Sequence, residues 1–308
     1  MRYARRAVAL AIGIVFSAAA VVVAETGAAS ASVSTHVQEI EQWRTERDQR
    51  LRQPDGWFSL VGLAWLEEGE STCGSDPSSD VRFPASLPAR LGVLARSEDG
   101  VDFVAAEGVE VSIDGETHRR ARLATDAGGE PTLVDVGTVR FHLLDRGGRI
   151  GVRIKDSQSA ALLAYQGMEN YPIDERWRVE GKLVPYEPPK SIAVPSVLGT
   201  TNETPSPGAV EWRMAGQVHR LDVLPGGEGQ YFVLFSDATN GKETYGAGRF
   251  LYTAVADPQG RVVLDFNKAY NPPCAFTPYA TCPLPPRQNR LELAVRAGEK
   301  KYTGAYAH

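Results

Sequence analysis

The sequence predicts a mainly β protein with a single N-terminal helix. From Trp57 onward helical periodicity is almost absent, and short apolar or alternating runs recur between Gly, Asp, Ser and Pro residues, which is the pattern of a β-sandwich or barrel. Asp99-Gly100, Asp114-Gly115 and Gly147-Gly148 are typical of hairpin turns, because such residues tolerate a positive φ. At 308 residues the chain is long enough for two hydrophobic cores or one large β core.

Residues 1–31 have the features of a secretory signal peptide. Arginines near the start precede an uncharged stretch, Ala7–Val23, and a small-residue cleavage site ends at Ala31. We therefore expect cleavage after Ala31 and a protein that is secreted or located in the cell envelope, without membrane contact after cleavage. The alternative is an uncleaved anchor, although the Ala and Gly content of the stretch makes it weakly apolar.

A helix is predicted at residues 35–53. Thr35 and Gln38 have the form of a capping box, and good helix formers follow without Gly or Pro as far as the turn signal Pro54-Asp55-Gly56. The apolar residues form only a sparse stripe, so this helix must pack on a neighbouring element to persist.

The rest of the chain divides into two predicted β units, residues 55–156 and 170–304. The alanine- and leucine-rich stretch Ala160–Tyr165 predicts a helical turn between them. Residues 199–207 are rich in Pro, Ser and Thr and predict a surface loop.

The segment at residues 265–289 contains six prolines and two cysteines together with several aromatic residues. It cannot be helical, and it is too aromatic and too restricted by proline to be disordered. We predict a rigid, packed loop beside a functional site.

Composition and motifs exclude several functions. With 33 Lys and Arg against 38 Asp and Glu, the net charge of −5 provides no basic surface for nucleic acid. Gly241-Lys242 lacks the preceding glycines of a phosphate-binding loop, and the isolated histidines lack the paired spacing with cysteine that zinc sites require. We expect no cofactor and no metal site.

Cys274 and Cys282 lie eight positions apart. In an oxidising compartment we predict a disulfide between them, which would stabilise the fold by about 2.5 kcal/mol in the chain-entropy model. A catalytic cysteine is the weaker interpretation because no histidine has local spacing to either residue. Cys73 is predicted to be a small buried strand residue.

Polar residues around the proline-rich segment predict a ligand pocket between the two β units. We expect Arg249 and Asp265 to form a buried pair, because the planar guanidinium fork can hold a carboxylate bidentately. The candidate binding residues are Tyr245, Arg249, Asp265, Asn267, Tyr270 and Asn271. In the alternative interpretation, the Asp and Asn side chains bond backbone groups that no strand satisfies.

These residues favour a binding module for a small molecule or peptide. A second hypothesis is a hydrolase in which Asp265 acts as general base and Arg249 orients the substrate. A third is a structural envelope protein whose proline-rich segment only joins the two units.

Four long motifs in the chain resemble those of the uncharacterised bacterial family known as domain of unknown function 1684. They are PDGWFSLVGLAWL, DRGGRIGVRIKD, SDATNGKETYGAGRFL and DFNKAYNPPCAFTPYATCPLPPRQNRL, spread over residues 43–298. The resemblance implies no established activity.

The first β unit is similar in strand and turn order to a forkhead-associated domain. The resemblance rests on EGESTCGSDPSSDVRF at residues 68–83, followed by Gly92-Val93-Leu94 and Val136-Gly137-Thr138. It implies a β-sandwich. Members of that family read phosphothreonine with an arginine and a histidine; here Ser75 stands in the arginine position, and Ser86–Arg90 has no histidine at the matching place. Because a phosphate dianion needs charge-assisted donors, phosphopeptide binding is not expected.

Overall fold

The computed structural model describes residues 20–304, and the side chains from residue 35 onward. The first 19 residues of the predicted signal peptide, residues 1–31, lie outside the described residues. The side chains of residues 20–31 lie outside the described part as well.

The N-terminal helix, α1, runs from Ala20 to Leu51. It begins earlier than predicted and passes through Thr35, which therefore lies within the helix and not at its N-terminus. Ile40 and Leu51 are buried, as expected for a helix that depends on a neighbour. Within residues 20–304, no helix is both long and apolar enough to cross a membrane.

The first β unit is the predicted sandwich. Its two sheets have the strand orders β1-β11-β10-β9-β6-β7 and β3-β2-β4-β5-β8, and side chains from both form one core that includes Leu94, Phe103, Phe141 and Val152. The strands are β1 (Leu60–Trp65), β2 (Gly69–Gly74), β3 (Val81–Arg82), β4 (Gly92–Ser97), β5 (Gly100–Ala105), β6 (Ser112–Ile113), β7 (Glu116–Thr117), β8 (Arg120–Leu123), β9 (Val134–Val136), β10 (Val139–Arg146) and β11 (Arg149–Asp156).

The hairpin turns read from the sequence are present. Asp114 and Gly115, between β6 and β7, have φ angles of 49° and 88°. Gly147 and Gly148, between β10 and β11, have φ angles of 69° and 85°. Local chemistry decides these turns, because glycine and aspartate reach the left-handed region at low cost.

The second β unit follows a short helix, α2 (Ala160–Leu163). Its sheet has the order β16-β15-β14-β13-β12-β17, and its outer strands meet where the Thr253 hydroxyl donates to the Val263 carbonyl at 2.6 Å. The sheet therefore curls toward a barrel. The strands are β12 (Arg178–Pro195), β13 (Thr201–Met214), β14 (Gln217–Pro225), β15 (Gln230–Phe235), β16 (Arg249–Ala254) and β17 (Arg261–Asp265).

The surface loop predicted at residues 199–207 is wrong, because most of this stretch belongs to a strand. β13 begins at Thr201, and the register pairs Thr201 with Pro195 and Ser206 with Lys190. Pairing along the long β12–β13 hairpin outweighs the loop-like composition, because strand preference depends on cross-strand neighbours more than on the residue itself.

The proline-rich segment, residues 265–289, packs between the two units. The Thr277 hydroxyl donates to the Leu60 carbonyl of the first unit at 3.0 Å, and the backbone N of Leu284 donates to the Pro195 carbonyl of the second at 2.7 Å. Short 3-10 turns and side-chain bonds take the place of a regular ladder here.

Candidate functional site

The predicted location of the pocket, between the two β units, is filled by aromatic rings. The Phe58 ring centroid lies 4.5 Å from that of Tyr165, 4.8 Å from that of Phe276 and 5.2 Å from that of Tyr302. These rings form one buried cluster with Leu51 of α1. The junction is therefore packed as a hydrophobic core at this point.

Arg249 lies in the core and does not contact Asp265. Its side chain is fully buried, and Nη2 donates to Oδ2 of Asp237 at 2.8 Å. The same guanidinium donates to the carbonyls of Val295 and Ala297. The predicted Arg249–Asp265 pair is thus wrong, because Asp237 and the chain near residue 295 already occupy the guanidinium fork.

The candidate residues Asn267 and Asn271 are also fully buried. Asn267 exchanges hydrogen bonds with the backbone of Asp174, at 2.9 and 3.0 Å. The side-chain amide of Asn271 donates to the Lys300 carbonyl at 2.8 Å. Both side chains satisfy backbone groups, which is the alternative that the sequence left open.

Tyr245 is half-buried, and its hydroxyl donates to the Cys274 carbonyl at 3.0 Å. Burial raises the pKa of Tyr245 above its usual range. The side chain therefore helps to position the proline-rich segment.

Asp265 bonds a histidine that sequence reasoning did not select. Nε2 of His36, on α1, lies 2.7 Å from Oδ2 of Asp265, and both side chains are nearly buried. The other carboxylate oxygen accepts hydrogen bonds from the backbone N and the side-chain amide of Asn267. Since both oxygens are engaged, general-base catalysis by Asp265 would have to displace one of these partners.

A second ionic contact joins the same elements, between Lys268 and Glu39. The Lys268 ammonium lowers the pKa of Glu39 through their hydrogen bond. Together with the His36–Asp265 pair, it fixes α1 against the second β unit. No local pattern signals either contact, because each joins residues 229 positions apart.

Between α1 and the second β unit lies an open cleft, which we call the α1 cleft. It consists of two adjoining cavities of about 580 and 200 Å³ that share Trp43, Tyr252 and Lys268 as walls. The larger cavity reaches Asp265, and the smaller reaches Tyr270. These two candidates are the ones that the structure places beside a common opening.

Aromatic rings form the wall of the smaller cavity. The rings of Tyr252 and Tyr270 are nearly parallel, with an interplanar angle of 11° and a centroid distance of 6.5 Å. Trp43 packs against Tyr270 at 6.3 Å, and the Arg47 guanidinium lies 4.6 Å from the Tyr270 ring centroid. The Tyr252 ring also stacks on Phe232, with 4.7 Å between ring centroids, and the residue retains 41% of its accessible surface.

The charges around the smaller cavity differ in how they are neutralised. Arg47 is paired with Glu299 at 3.0 Å, and Lys268 is paired with Glu39. Arg50 is exposed and forms no ion pair among the described residues. Burial raises the pKa of Tyr270, whose ring therefore remains uncharged at neutral pH.

Cys274 and Cys282 are buried free thiols. The backbone N of Cys274 donates to Sγ of Cys282 at 3.1 Å. The hydrogen bond between the thiols lowers the pKa of Cys274 and raises that of Cys282. The disulfide is not formed in the structure and stays a prediction. Cys73 is buried in β2, as expected.

Two further predictions concern sites that the chain was expected to lack. At the position where a forkhead-associated domain has its arginine, the Ser75 hydroxyl donates to the Leu87 carbonyl at 2.8 Å. Within residues 35–304, no group of three His, Cys, Asp or Glu side chains is arranged to hold a metal ion.

These features define a class of protein: a two-unit β protein in which an N-terminal helix covers one side of the second unit and leaves a cleft. Residues 163–300 match the family described as "Protein of unknown function (DUF1684)"; the match contains the last two of the four motifs that resembled this family, and the first two lie outside it. The match covers the second β unit and most of the cleft wall below α1.

Solved structures resemble parts of the chain. An uncharacterised protein of Haloarcula marismortui is 29% identical over 44% of this chain and 77% of that one, with a TM-score of 0.38. The FHA-2 domain of an ABC transporter from Mycobacterium tuberculosis is 17% identical over 29% of this chain and 77% of that domain, with a TM-score of 0.22. Comparison with curated proteins finds no significant match.

Proposed function

We propose that the protein is a binding module that holds a small ligand in the α1 cleft. The ligand class that fits the smaller cavity is a planar ring carrying a negative group, such as an aromatic carboxylate. The observation that carries the proposal is the nearly parallel pair of Tyr252 and Tyr270 beside the unpaired Arg50.

The aromatic rings would supply the binding energy. A planar ring gains from offset or edge contacts with Tyr and Trp rings beyond the area that it buries, by about 0.5–1.5 kcal/mol for each pair. The partly exposed side chain of Tyr252 and the ring of Trp43 lie on the wall of the same cavity. A flat ligand is therefore favoured over a saturated ring of equal size.

Arg50 would supply the charge selectivity. The other cations of the smaller cavity, Arg47 and Lys268, already have carboxylate partners, whereas Arg50 has none among the described residues. A ligand carboxylate next to Arg50 forms a charge-assisted hydrogen bond without breaking an existing pair.

Three probe molecules test the proposal. Benzoate has the ring and the charge, cyclohexanecarboxylate lacks the planar ring, and benzamide lacks the charge. We expect benzoate to raise the melting temperature most, because it alone has both the planar ring and the charge. A ligand at one hundred times its dissociation constant adds about 2.7 kcal/mol of stability. Equal effects of all three probes, or none, would contradict the proposal.

Variants assign the effect to the cleft. Tyr252→Ala and Arg50→Gln should each reduce the benzoate shift, whereas Tyr279→Ala should preserve it. Tyr279 is the matched control because it is a similarly exposed tyrosine, at 37%, that does not line the cleft. A shift that is unchanged in Tyr252→Ala would place the ligand elsewhere.

The same proposal includes export and a disulfide between Cys274 and Cys282. Export is supported by the arginines and the uncharged stretch of residues 1–31. The disulfide is supported by the spacing of the two cysteines and by the hydrogen bond from the Cys274 backbone N to Sγ of Cys282. N-terminal sequencing of protein recovered outside the cytoplasm should begin at Ser32; a start at Met1 would contradict cleavage.

A further inference from the structure

A separate cavity, of about 340 Å³, lies between α1 and the segment that joins the two β units. Three arginines line it: Arg44 and Arg47 of α1, and Arg52 directly after the helix. The carboxylates on its wall are those of Asp48 and Glu299. The cavity adjoins the α1 cleft across Trp43 and Arg47, but its other walls differ.

Two of the three guanidinium groups have carboxylate partners. Arg47 Nε donates to Oε1 of Glu299 at 3.0 Å, and Arg52 Nε donates to Oδ2 of Asp48 at 2.7 Å. Arg44 forms no ion pair among the described residues, and the bond from its Nη2 goes to the Tyr171 carbonyl at 2.9 Å. One guanidinium on the cavity wall therefore lacks a carboxylate at ion-pair distance among the described residues.

The environment of Arg44 makes that charge costly. Burial lowers the pKa of Arg44 more than the nearby charges of Glu41, Glu299 and Asp265 raise it, and its Nε atom is buried without a hydrogen-bond partner among the described residues. A partly desolvated guanidinium that lacks a counter-charge is destabilising until an anion binds beside it. An anion in this cavity would thus bind to a charge that the fold has left unpaired.

Asn170 provides a second unmatched group on the same wall. Its side-chain amide donates to the Met168 carbonyl at 3.1 Å, but Oδ1 is buried and has no partner in the described part of the chain. An acceptor without a donor favours a ligand that brings a hydroxyl or an N–H group.

We propose that this cavity binds a small 2-hydroxycarboxylate. The carboxylate offsets the single unpaired charge of Arg44, and the hydroxyl supplies the donor that Asn170 lacks. A phosphate dianion would bring more negative charge than one guanidinium neutralises. A zwitterionic amino acid would bring an ammonium group together with its carboxylate, so the positive charge in the cavity would stay the same.

The experiment compares lactate with propionate, which differ in the hydroxyl alone, by calorimetry on the full chain. We expect lactate to bind more tightly than propionate, and sulfate to bind more weakly than either. Arg44→Gln should weaken lactate binding by at least about tenfold, because a bond to a charged group is lost. Arg44→Lys, which keeps the charge, should retain most of the affinity.

Asn170→Ala should abolish the preference for lactate over propionate and leave propionate binding unchanged. The matched control is Arg82→Gln, because Arg82 is an exposed arginine on β3 of the first unit. Absence of lactate binding to the wild-type chain, or equal affinity in wild type and Arg44→Gln, would overturn the proposal.

Lactate binding to this cavity can be distinguished from benzoate binding to the α1 cleft. Arg50→Gln and Tyr252→Ala should reduce benzoate binding and leave lactate binding intact. Loss of lactate binding in Arg50→Gln would show that the two ligands share one site, which also overturns this proposal.

Discussion

Nε2 of His36 lies 2.7 Å from Oδ2 of Asp265, and this bond joins the N-terminal helix to the last strand of the second β unit. Both side chains are nearly buried, so the bond is shielded from water. It fixes the position of α1, and with it the width of the α1 cleft.

Asp265→Ala should loosen the helix. The substitution leaves His36 buried without its partner, which costs about 1–3 kcal/mol. We expect faster amide hydrogen exchange along α1 near His36 and a lower free energy of unfolding. The matched control is Glu116→Ala, which removes the exposed pair of Glu116 with His118 and should change neither quantity. Unaltered exchange in Asp265→Ala would show that the bond does not hold α1.

Asp237→Ala should be strongly destabilising. It leaves the fully buried Arg249 guanidinium without a counter-charge, and breaking one side of a buried pair costs about 3–5 kcal/mol. Urea denaturation measures the loss. Asp102→Ala, which breaks the exposed pair with Arg122, is the control and should have little effect. Similar midpoints for the two variants would contradict a structural role for Arg249.

His142 should make the fold sensitive to acid. Burial, and then the charges of Arg153 and Lys155, lower the pKa of His142 to about 4. The unfolded chain has the ordinary histidine pKa of about 6.5 and takes up the proton first. Stability is therefore lost as the pH falls from about 6.5 to 4, by up to roughly 3 kcal/mol.

The measurement for His142 is the unfolding free energy between pH 4 and pH 7.5, compared with that of His142→Gln. The variant has no proton to take up at this position, so its stability should decline less over the acidic range. Parallel curves for the two proteins would refute the assignment.

Oxidation should join Cys274 to Cys282. The lowered pKa of Cys274 and the proximity of its backbone N to Sγ of Cys282, at 3.1 Å, favour attack by its thiolate. A thiol count on oxidised, denatured protein should find one free group, and Cys73→Ala should reduce that count to none. Three free thiols in the oxidised wild-type chain would refute the bridge.

Local signals in the sequence predicted much of the fold. The turn at Asp114-Gly115 and the strand that follows Gly148 rest on glycine conformation and short-range alternation, which act between neighbours in the chain. Asn267 and Asn271 illustrate the same point, because the sequence already offered backbone bonding as an interpretation of amides in a proline-rich segment.

The candidate site was less predictable. Asp265 was selected as the partner of Arg249, but Arg249 pairs with Asp237 and Asp265 pairs with His36. Arg50 and Tyr252, which line the α1 cleft, have no motif that marks them. Their proximity depends on where α1 rests against the sheet.

The sequence by itself determined a mainly β chain with one main helix, and the hairpin turns of the first unit. Periodicity, turn residues and composition act over a few positions, so they can be read without coordinates. The tertiary structure decided which charges meet, which polar groups remain unmatched and where the cavities lie. Those depend on contacts between residues far apart in the chain, such as His36 and Asp265, and on the packing that brings them together.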